Sequence, residues 1–293
     1  MNRSDLRNVV LASRFLLKSL LRPVLVLLIR TRTAGQVLTS DIGSLAQWLA
    51  HSREFTNYTY RLSERNRKHL AWWVSNVTDK SVREVESLFA ELEENERFRS
   101  DLEVAARAGD RKHEFSKAEA QQLPERLGRR LGWYALVRIL KPGLVVETGT
   151  DKGLGSVVLA EALMANGEGR LVTIDIEPAS GMLLTSRYDE VVTRIMGDSV
   201  ASLGSLTSVD LFIHDSDHSV EHEEAEFRCV APALSPKAVL VSDNSHATDV
   251  LEQLSREWSR NFLFFKESPT GHWYSGGGIG ISWPSRTPTP RSR

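Results

Sequence analysis

One stretch restricts what this chain can fold into more than any other. It is LVVETGTDKGLGS at residues 144–156, where an apolar run ends in a carboxylate and glycines follow. Such a run is typical of a parallel strand buried on both faces, and helical spacing resumes at residues 157–165. Glycines let a backbone turn sharply and approach a ligand, and the first N–H groups of a helix point at that ligand. The stretch predicts a strand, a cofactor-binding loop and a helix; an ordinary glycine-rich turn is the alternative.

The glycine spacing indicates which class of cofactor this loop would bind. Dinucleotide-binding loops have the spacing G-x-G-x-x-G, whereas Glu147, Gly149 and Gly153 here give E-x-G-x-x-x-G. Nicotinamide and flavin cofactors are therefore disfavoured. The order resembles the first motif of S-adenosylmethionine-dependent methyltransferases of class I, in particular their O-methyltransferase branch. In that family the acidic residue and the glycines surround the methionine end of the cofactor.

The chain departs from the family pattern just after the second glycine. Family members often have Tyr-Ser there, whereas this chain has Leu-Gly-Ser, ending at Ser156. Whether Ser156 takes over the contact of that serine with the cofactor carboxylate is left open. The resemblance implies S-adenosylmethionine as the cofactor, with Glu147, Gly149, Gly153 and Ser156 as its binding residues.

Two further predicted strands end in carboxylates. The segment RLVTIDIE presents Asp175, which at a strand tip can accept both ribose hydroxyls and resembles the second methyltransferase motif. The third segment, VVTRIMGDS, ends in Asp198 and Ser199, where the family commonly binds the adenine amino group. Gly-Asp turns occur in every fold, so the assignment of Asp198 to the cofactor has an ordinary turn as its alternative.

Polar side chains also follow the fourth and fifth predicted strands. VDLFIHDSDH releases Asp215 and His218 at its end, and AVLVSDN releases Asp243 and Asn244. Because the carboxyl ends of strands in an open α/β sheet converge on one crevice, these side chains should meet there, with Asp215 beside the cofactor. Asp215, Asp243 and Asn244 offer three oxygen ligands of the kind that Mg²⁺ or Mn²⁺ takes.

Together the two motifs resemble the metal-dependent O-methyltransferases, among them the catechol and caffeoyl-coenzyme A enzymes. His218 lies where the catechol enzymes have a lysine and the macrolide-sugar O-methyltransferases a histidine, which implies a general base. The sugar enzymes end the fifth strand with Glu-Asp, so this chain mixes features of both groups. The alternatives are a helix cap for His218 and a simple turn for Asp243 and Asn244.

Composition and charge exclude several classes of function. The chain has 293 residues, of which 41% are hydrophobic and 26% charged, as in ordinary globular proteins. Its single cysteine, Cys229, rules out an intrachain disulfide and fits a reducing, cytoplasmic compartment. The net charge of -1 combines +6 in residues 1–35 and +3 after Pro284 with -10 between them. So acidic a globule is a poor candidate for binding nucleic acid, since phosphate contacts dominate such binding.

Residues 1–35 predict a basic amphipathic helix. Its basic side chains interrupt the apolar residues before the roughly 18 needed for a membrane span accumulate, and no secretory signal is recognisable. The favoured interpretation is a helix that packs on its own domain or on a second subunit, in a homo-oligomer. Adsorption to an anionic membrane surface, and hence a membrane-peripheral location, is the alternative.

The patterns divide the chain into four segments. Residues 1–35 are the basic helix, residues 36–123 a helical cap or oligomerisation region, residues 124–284 the S-adenosylmethionine-binding methyltransferase domain, and residues 285–293 a disordered tail. The predicted fold is α/β, a Rossmann-like seven-stranded methyltransferase sheet with an N-terminal helical cap. Its last two strands should form the reversed hairpin of this fold.

Candidate residues for the acceptor come from two regions. Aromatic and amide side chains near Tyr58 and Tyr60 suit sugars and other polyols, although aromatics at helical spacing are more often core. His246 follows the fifth strand, and the loop GHWYSGGG between the last two strands adds His272, Trp273 and Tyr274. Loops at this edge of the sheet commonly shape substrate binding.

These residues predict a divalent-metal-dependent O-methyltransferase. The metal would lower the pKa of an acceptor hydroxyl and fix its oxygen in line with the methyl group, and His218 would remove the proton. A sugar or glycan hydroxyl in bacterial polysaccharide or natural-product biosynthesis is the first choice of acceptor, and a phenol or catechol the second. A non-catalytic S-adenosylmethionine-binding interaction module is the alternative from another class.

Overall fold

The computed structural model describes most of the chain beyond residue 57. The described residues are 58–108, 115, 117–243, 245–270, 272, 274 and 276–285. The predicted basic helix, Asn244, Trp273 and residues 286–293 of the predicted tail therefore lie outside them. The chain forms two compact units, Thr59–Thr270 with Ser275–Arg293, and Met1–Tyr58 with Gly271–Tyr274.

Helices and strands alternate through the larger unit. The described helices are α1 (Glu64–Thr78), α2 (Val82–Glu93), α3 (Glu96–Ala108), α4 (Lys117–Gln122), α5 (Arg130–Leu140), α6 (Leu154–Asn166), α7 (Ser199–Leu203), α8 (Val220–Val230) and α9 (Val250–Glu257). The described strands are β1 (Arg61–Leu62), β2 (Leu144–Thr148), β3 (Arg170–Asp175), β4 (Val192–Met196), β5 (Val209–His214), β6 (Leu234–Ser242), β7 (Arg260–Lys266), β8 (Pro269–Thr270) and β9 (Gly278–Pro284). A membrane-crossing helix, which needs both length and apolar character, is absent from the described part of the chain.

Seven of these strands form one sheet in the order β4-β3-β2-β5-β6-β9-β7. The five strands from β2 to β6 run parallel, whereas β9 runs antiparallel to both of its neighbours. The chain leaves β2 in one direction towards β3 and β4 and later returns to place β5 on its other side. Open α/β sheets bind their ligands at such a switch point. The predicted Rossmann-like sheet of seven strands, with its reversed final hairpin, is confirmed.

Alternation along each strand divides the core between the two faces of the sheet. Val145 belongs to a cluster that includes α1, α2, α3, α5 and α6, whereas Val146 belongs to one that includes α8 and α9. Successive side chains of a strand point to opposite faces, so a strand covered on both sides must be apolar throughout. The continuous apolar runs in the sequence have this physical cause.

Four helices, α1–α4, precede the sheet, and residues 36–57 of the predicted helical cap lie outside the described residues. Helix α2 begins after a capping box, in which the Ser81 hydroxyl accepts the N–H of Glu84 and the Glu84 carboxylate accepts the N–H of Ser81. Val85 and Phe89 on its inner face are fully buried. The aromatic residues of α1 divide between core and surface, since Trp73 is buried and Trp72 is 62% exposed.

Candidate active site

Main-chain hydrogen bonds continue past the strand ends and hold four loops together. The N–H of Gly149 donates to the carbonyl of Ile174 at 2.8 Å, and that of Asp215 donates to the carbonyl of Thr148 at 3.0 Å. The N–H of Asp243 donates to the carbonyl of His214 at 2.8 Å. The loops after β2, β3, β5 and β6 therefore lie side by side at one edge of the sheet.

Gly149 lies where the glycine-rich loop touches the loop after β5. Its φ of +85° is in the left-handed region, and a Cβ at this position would collide with the carbonyl oxygen of Asp215. Gly153 has a φ of +89° and precedes the first residue of α6. These backbone conformations and this close approach require glycine, so the loop cannot be replaced by a generic turn sequence.

Glu147 is buried beneath the glycine-rich loop. Its carboxylate accepts hydrogen bonds from the hydroxyls of Ser156 and Thr173, the latter at 2.8 Å. Burial raises the pKa of Glu147 to about 7, against the lowering effect of these two hydroxyls. Ser156 is predicted to contact the cofactor, and in this structure its hydroxyl donates a hydrogen bond to Glu147.

The raised pKa of Glu147 predicts a pH-dependent stability. Below its ordinary pKa of 4.5 the carboxyl is protonated whether the chain is folded or unfolded. As pH rises from about 4.5 to about 7, only the folded chain keeps the proton, so the free energy of unfolding should fall by about 3 kcal/mol and then level off. Glu147→Gln should lack this fall. Urea unfolding at pH 5 and pH 8 measures it, and parallel losses in both proteins would contradict the assignment.

Asp175 ends β3, and Asp198 lies two residues beyond the end of β4. The two oxygens of Asp175 accept the N–H groups of Asp151 and Glu177 at 2.9 and 2.8 Å, which fixes the carboxylate against the glycine-rich loop. Asp198 caps α7 by accepting the N–H of Ala201 at 2.8 Å. Each carboxylate oxygen retains a second lone pair, so both side chains can still accept hydrogen bonds from a ligand.

Two apolar side chains at this edge were missed from the sequence. Ile176 directly follows Asp175, and Met196, which pairs with Asp175 across the strands, ends β4. They are 63% and 54% exposed. An apolar side chain exposed immediately after a strand could have been singled out from the sequence, because buried strands normally return to polar residues at their ends.

Ser199 lies in a buried polar cluster centred on Glu226 of α8. The Glu226 carboxylate accepts hydrogen bonds from hydroxyls and imidazoles at five positions: Thr148, Ser199, His214, Ser216 and His222. Although burial alone would raise it, the pKa of Glu226 is held well below its usual range by His214 and His222. Ser199 is predicted to contact the adenine, but its hydroxyl donates to Glu226 in this cluster. The sequence did not predict the cluster.

Asp215, His218 and Asp243 come together as predicted. One ligand atom of each lies within 4.8 Å of the others, and Nε2 of His218 is 3.9 Å from Oδ1 of Asp215. Burial and the nearby Asp243 raise the pKa of Asp215 well above its usual range, whereas burial lowers the pKa of His218 and favours a neutral imidazole. Two carboxylates and an imidazole form a donor set that fits a divalent cation.

Arg129 is a second partner of Asp243 and was also missed. Its Nε and Nη2 atoms contact the two carboxylate oxygens of Asp243, and its Nη1 atom donates to the Tyr60 hydroxyl at 2.8 Å. Nη1 is also 3.5 Å from Oε1 of Glu267, which the Tyr60 hydroxyl contacts in turn. Tyr60, predicted to contact the acceptor, is 1% exposed and belongs to this buried network.

The remaining acceptor candidates lie in loops. His246 is exposed and accepts the N–H of Gly278 at 3.1 Å, which ties the loop after β6 to the start of β9. In the smaller unit, the rings of Tyr58 and Tyr274 pack edge to face with centroids 5.4 Å apart. The N–H of Tyr274 donates to Nδ1 of His272 at 3.1 Å.

Comparison with solved structures shows the fold. Cofactor-bound Rv0187 from MTB aligns with a TM-score of 0.51 at 16% identity, covering 64% of this chain and 90% of that chain. The O-methyltransferase from Bacillus cereus in complex with SAH aligns at 0.48 and 17% identity, covering 74% and 97%. The O-methyltransferase TomG from Streptomyces achromogenes, involved in tomaymycin synthesis and in complex with SAM, aligns at 0.45 and 20% identity, covering 66% and 91%.

Comparison of sequences identifies the domain. No curated protein matches the chain at a significant level. Residues 146–245, which contain the glycine-rich loop and the ends of the strands from β2 to β6, match the family model described as a methyltransferase domain. This region of the chain is therefore similar to a methyltransferase domain, in agreement with the predicted family and with the seven-stranded sheet.

Proposed function

We propose that this chain transfers a methyl group from S-adenosylmethionine to a hydroxyl of a small acceptor, which is a sugar or glycan in bacterial polysaccharide or natural-product biosynthesis. The observation that carries the proposal is the contact between the loop of Gly149 and the loop of Asp215. It places a neutral imidazole and two carboxylates beside the loop predicted to hold the cofactor. Methyl transfer requires that donor and acceptor be held next to one another.

The cofactor would bind along the strand ends from β2 to β4. Asp175 and Asp198 supply carboxylates along this edge for the ribose hydroxyls and the adenine amino group, and Glu147 lies buried beneath the loop predicted to hold the methionine end. The exposed side chains of Ile176 and Met196 offer an apolar surface for a flat base.

Asp175→Ala tests this placement of the cofactor. The variant should bind S-adenosylmethionine about 1–3 kcal/mol more weakly, because the ribose hydroxyls lose a charged acceptor. Isothermal titration calorimetry measures the change. Glu177→Ala is the matched control, since its carboxylate lies beyond the end of β3 and should change affinity little. Unchanged affinity for Asp175→Ala would show that the ribose binds elsewhere.

Asp215 and Asp243 are the residues that would hold a divalent cation, Mg²⁺ or Mn²⁺, with Asn244 as a further proposed ligand and His218 beside them. Bound there, the cation would lower the pKa of the acceptor hydroxyl. Desolvation and the neighbouring Asp243 raise the pKa of the partly buried Asp215 carboxyl, against the lowering effect of Arg129. A cation at this place would favour the ionised form.

His218 is the proposed general base. Burial lowers its pKa, so the imidazole is neutral near pH 7 and can accept a proton from the acceptor hydroxyl. Bound S-adenosylmethionine would supply the methyl group to this oxygen, with S-adenosylhomocysteine as the other product. The side chain of His218 is 31% exposed, which allows the proton to pass to water.

An acceptor panel distinguishes the candidate functions. Sugars and glycans, phenols and catechols are each incubated with the chain and labelled S-adenosylmethionine, with and without a chelator. A methylated sugar that forms only with divalent metal supports the proposal, and a methylated catechol supports the second choice. Cofactor binding without turnover on any acceptor would support a non-catalytic interaction module.

We also propose a cytoplasmic homo-oligomer in which residues 36–123 contribute to subunit contacts. Support for this comes from the charge-rich helical sequence of that region and from the basic amphipathic pattern before it. Membrane-surface contact through residues 1–30 is the less favoured alternative. Light scattering of the full chain would reveal a monomer if the oligomer proposal is wrong.

A further inference from the structure

Arg129 and the proposed cation would bind the same carboxylate. The guanidinium contacts both oxygens of Asp243, and one of those oxygens belongs to the group formed with Asp215 and His218. The side chains of Arg129 and Asp243 are only 6% and 1% exposed, so water does little to screen the pair. Nη2 of Arg129 donates a hydrogen bond to Oδ2 of Asp243, and Nε lies against Oδ1 without a hydrogen bond, so the guanidinium covers the face of the carboxylate that a cation would use.

A divalent cation and a guanidinium should exclude one another from this site. Both are positive, and at a separation of a few ångströms in a buried site like charges repel strongly. Metal ligation by Asp243 therefore requires Arg129 to release at least one oxygen. An arginine released into a buried site without a partner would cost several kcal/mol, so it needs a second carboxylate.

Glu267 is that second carboxylate. Its Oε1 atom lies 3.5 Å from Nη1 of Arg129, and its side chain is 1% exposed. The Tyr60 hydroxyl contacts both Arg129 and Glu267 and so bridges the two possible partners. A small rotation of the guanidinium towards Glu267 would free Asp243 while Arg129 keeps an ion pair.

We propose that Arg129 is an internal competitor for the divalent cation: it occupies Asp243 in the metal-free chain and shifts to Glu267 when metal binds. The inference rests on the metal site of the proposed function but concerns a residue outside the ligand set. It predicts that the metal affinity of this enzyme is set by the exchange of Arg129 between two carboxylates.

The test is a calorimetric titration of the full chain with Mn²⁺ alone, without cofactor or acceptor. Arg129→Met should bind Mn²⁺ at least about tenfold more tightly than the unmodified chain, because the competing cation is gone. Arg129→Lys keeps the charge but cannot grip both oxygens, so its affinity should lie between the two. Glu267→Gln should bind Mn²⁺ more weakly, since Arg129 then lacks its second partner.

Arg130→Met is the matched control, because it removes a neighbouring positive charge that acts on Asp215 and Asp243 from a distance. Its affinity should change less than about threefold. If Arg130→Met and Arg129→Met both bind Mn²⁺ more tightly and by the same factor, a general electrostatic effect of removing a positive charge would explain the result. That outcome would overturn the proposal. Unchanged or weaker binding in Arg129→Met, or no Mn²⁺ binding by any variant, would overturn it as well.

Thermal unfolding gives a second readout that does not depend on full stability of the variants. A ligand that binds only the folded chain raises Tm more the more tightly it binds at a given concentration, so Mn²⁺ should raise Tm more in Arg129→Lys than in the unmodified chain. An equal rise would count against the proposal. The experiment uses no methyl donor, so failure of methyl transfer and failure of this inference are observed separately.

Discussion

Replacing His218 by alanine should lower turnover by about 10²- to 10⁴-fold while S-adenosylmethionine still binds. The imidazole is the neutral nitrogen base within 3.9 Å of Asp215, and its removal leaves the acceptor proton without a positioned acceptor. The measurement is single-turnover methyl transfer at saturating donor and metal, with donor affinity determined in parallel by calorimetry. His69→Ala is the control, because His69 is exposed on α1 and should leave the rate unchanged.

Metal addition separates the two roles that His218 can have. If excess Mn²⁺ restores the rate of His218→Ala, the imidazole acts as a ligand rather than as a base. A chelator should abolish turnover of the unmodified chain, and Mg²⁺ or Mn²⁺ should restore it. A fully active chelated enzyme, or a His218→Ala variant that turns over at the unmodified rate, would leave a metal-free methyltransferase as the better account.

Replacing Glu226 by leucine should lower the free energy of unfolding by about 3–5 kcal/mol, the second large effect that the structure predicts. The carboxylate is fully buried and accepts hydrogen bonds from groups on β2, β5 and α7 and in the loop after β5. Without it, these donors remain buried without partners. Urea unfolding at pH 7 measures the loss.

Glu224→Leu is the matched control for Glu226. Glu224 lies on the same helix, but it is exposed and pairs with Arg228 at 2.8 Å, and such surface pairs contribute less than about 1 kcal/mol. Because the pKa of Glu226 is lowered on folding, its contribution should be present above about pH 4.5 and be lost as pH falls through the lowered value. Equal losses in the two variants would show that the buried cluster contributes nothing special.

The sequence was sufficient for the parts of the site that follow from strand ends. Apolar runs that stop at Glu147, Asp175, Asp215 and Asp243 mark where buried strands end, and sheet topology alone then brings those carboxylates to one edge. Gly149 could be predicted for the same reason, because a sharp turn after a strand requires a positive φ.

Arg129 and Glu226 could not be predicted in this way. Arg129 and Asp243 are 114 positions apart, and nothing local to Arg129 distinguishes it from the adjacent Arg130. Glu226 belongs to a helix rich in charge, where periodicity cannot separate a buried carboxylate from solvated ones. The spacing of His222 and Glu226, four residues apart on one helix face, was the one local signal available.

The contact between Gly149 and Asp215 has a consequence for how such an enzyme can change its acceptor. The distance between the methyl donor and the attacking oxygen would be set by two main chains in direct contact rather than by side chains. Substitutions in the surrounding loops can then alter which molecule enters the crevice while the reacting atoms keep their separation. Selection of the acceptor and geometry of transfer would thus reside in different parts of the molecule, the first in exchangeable loops and the second in the backbone of the sheet edge.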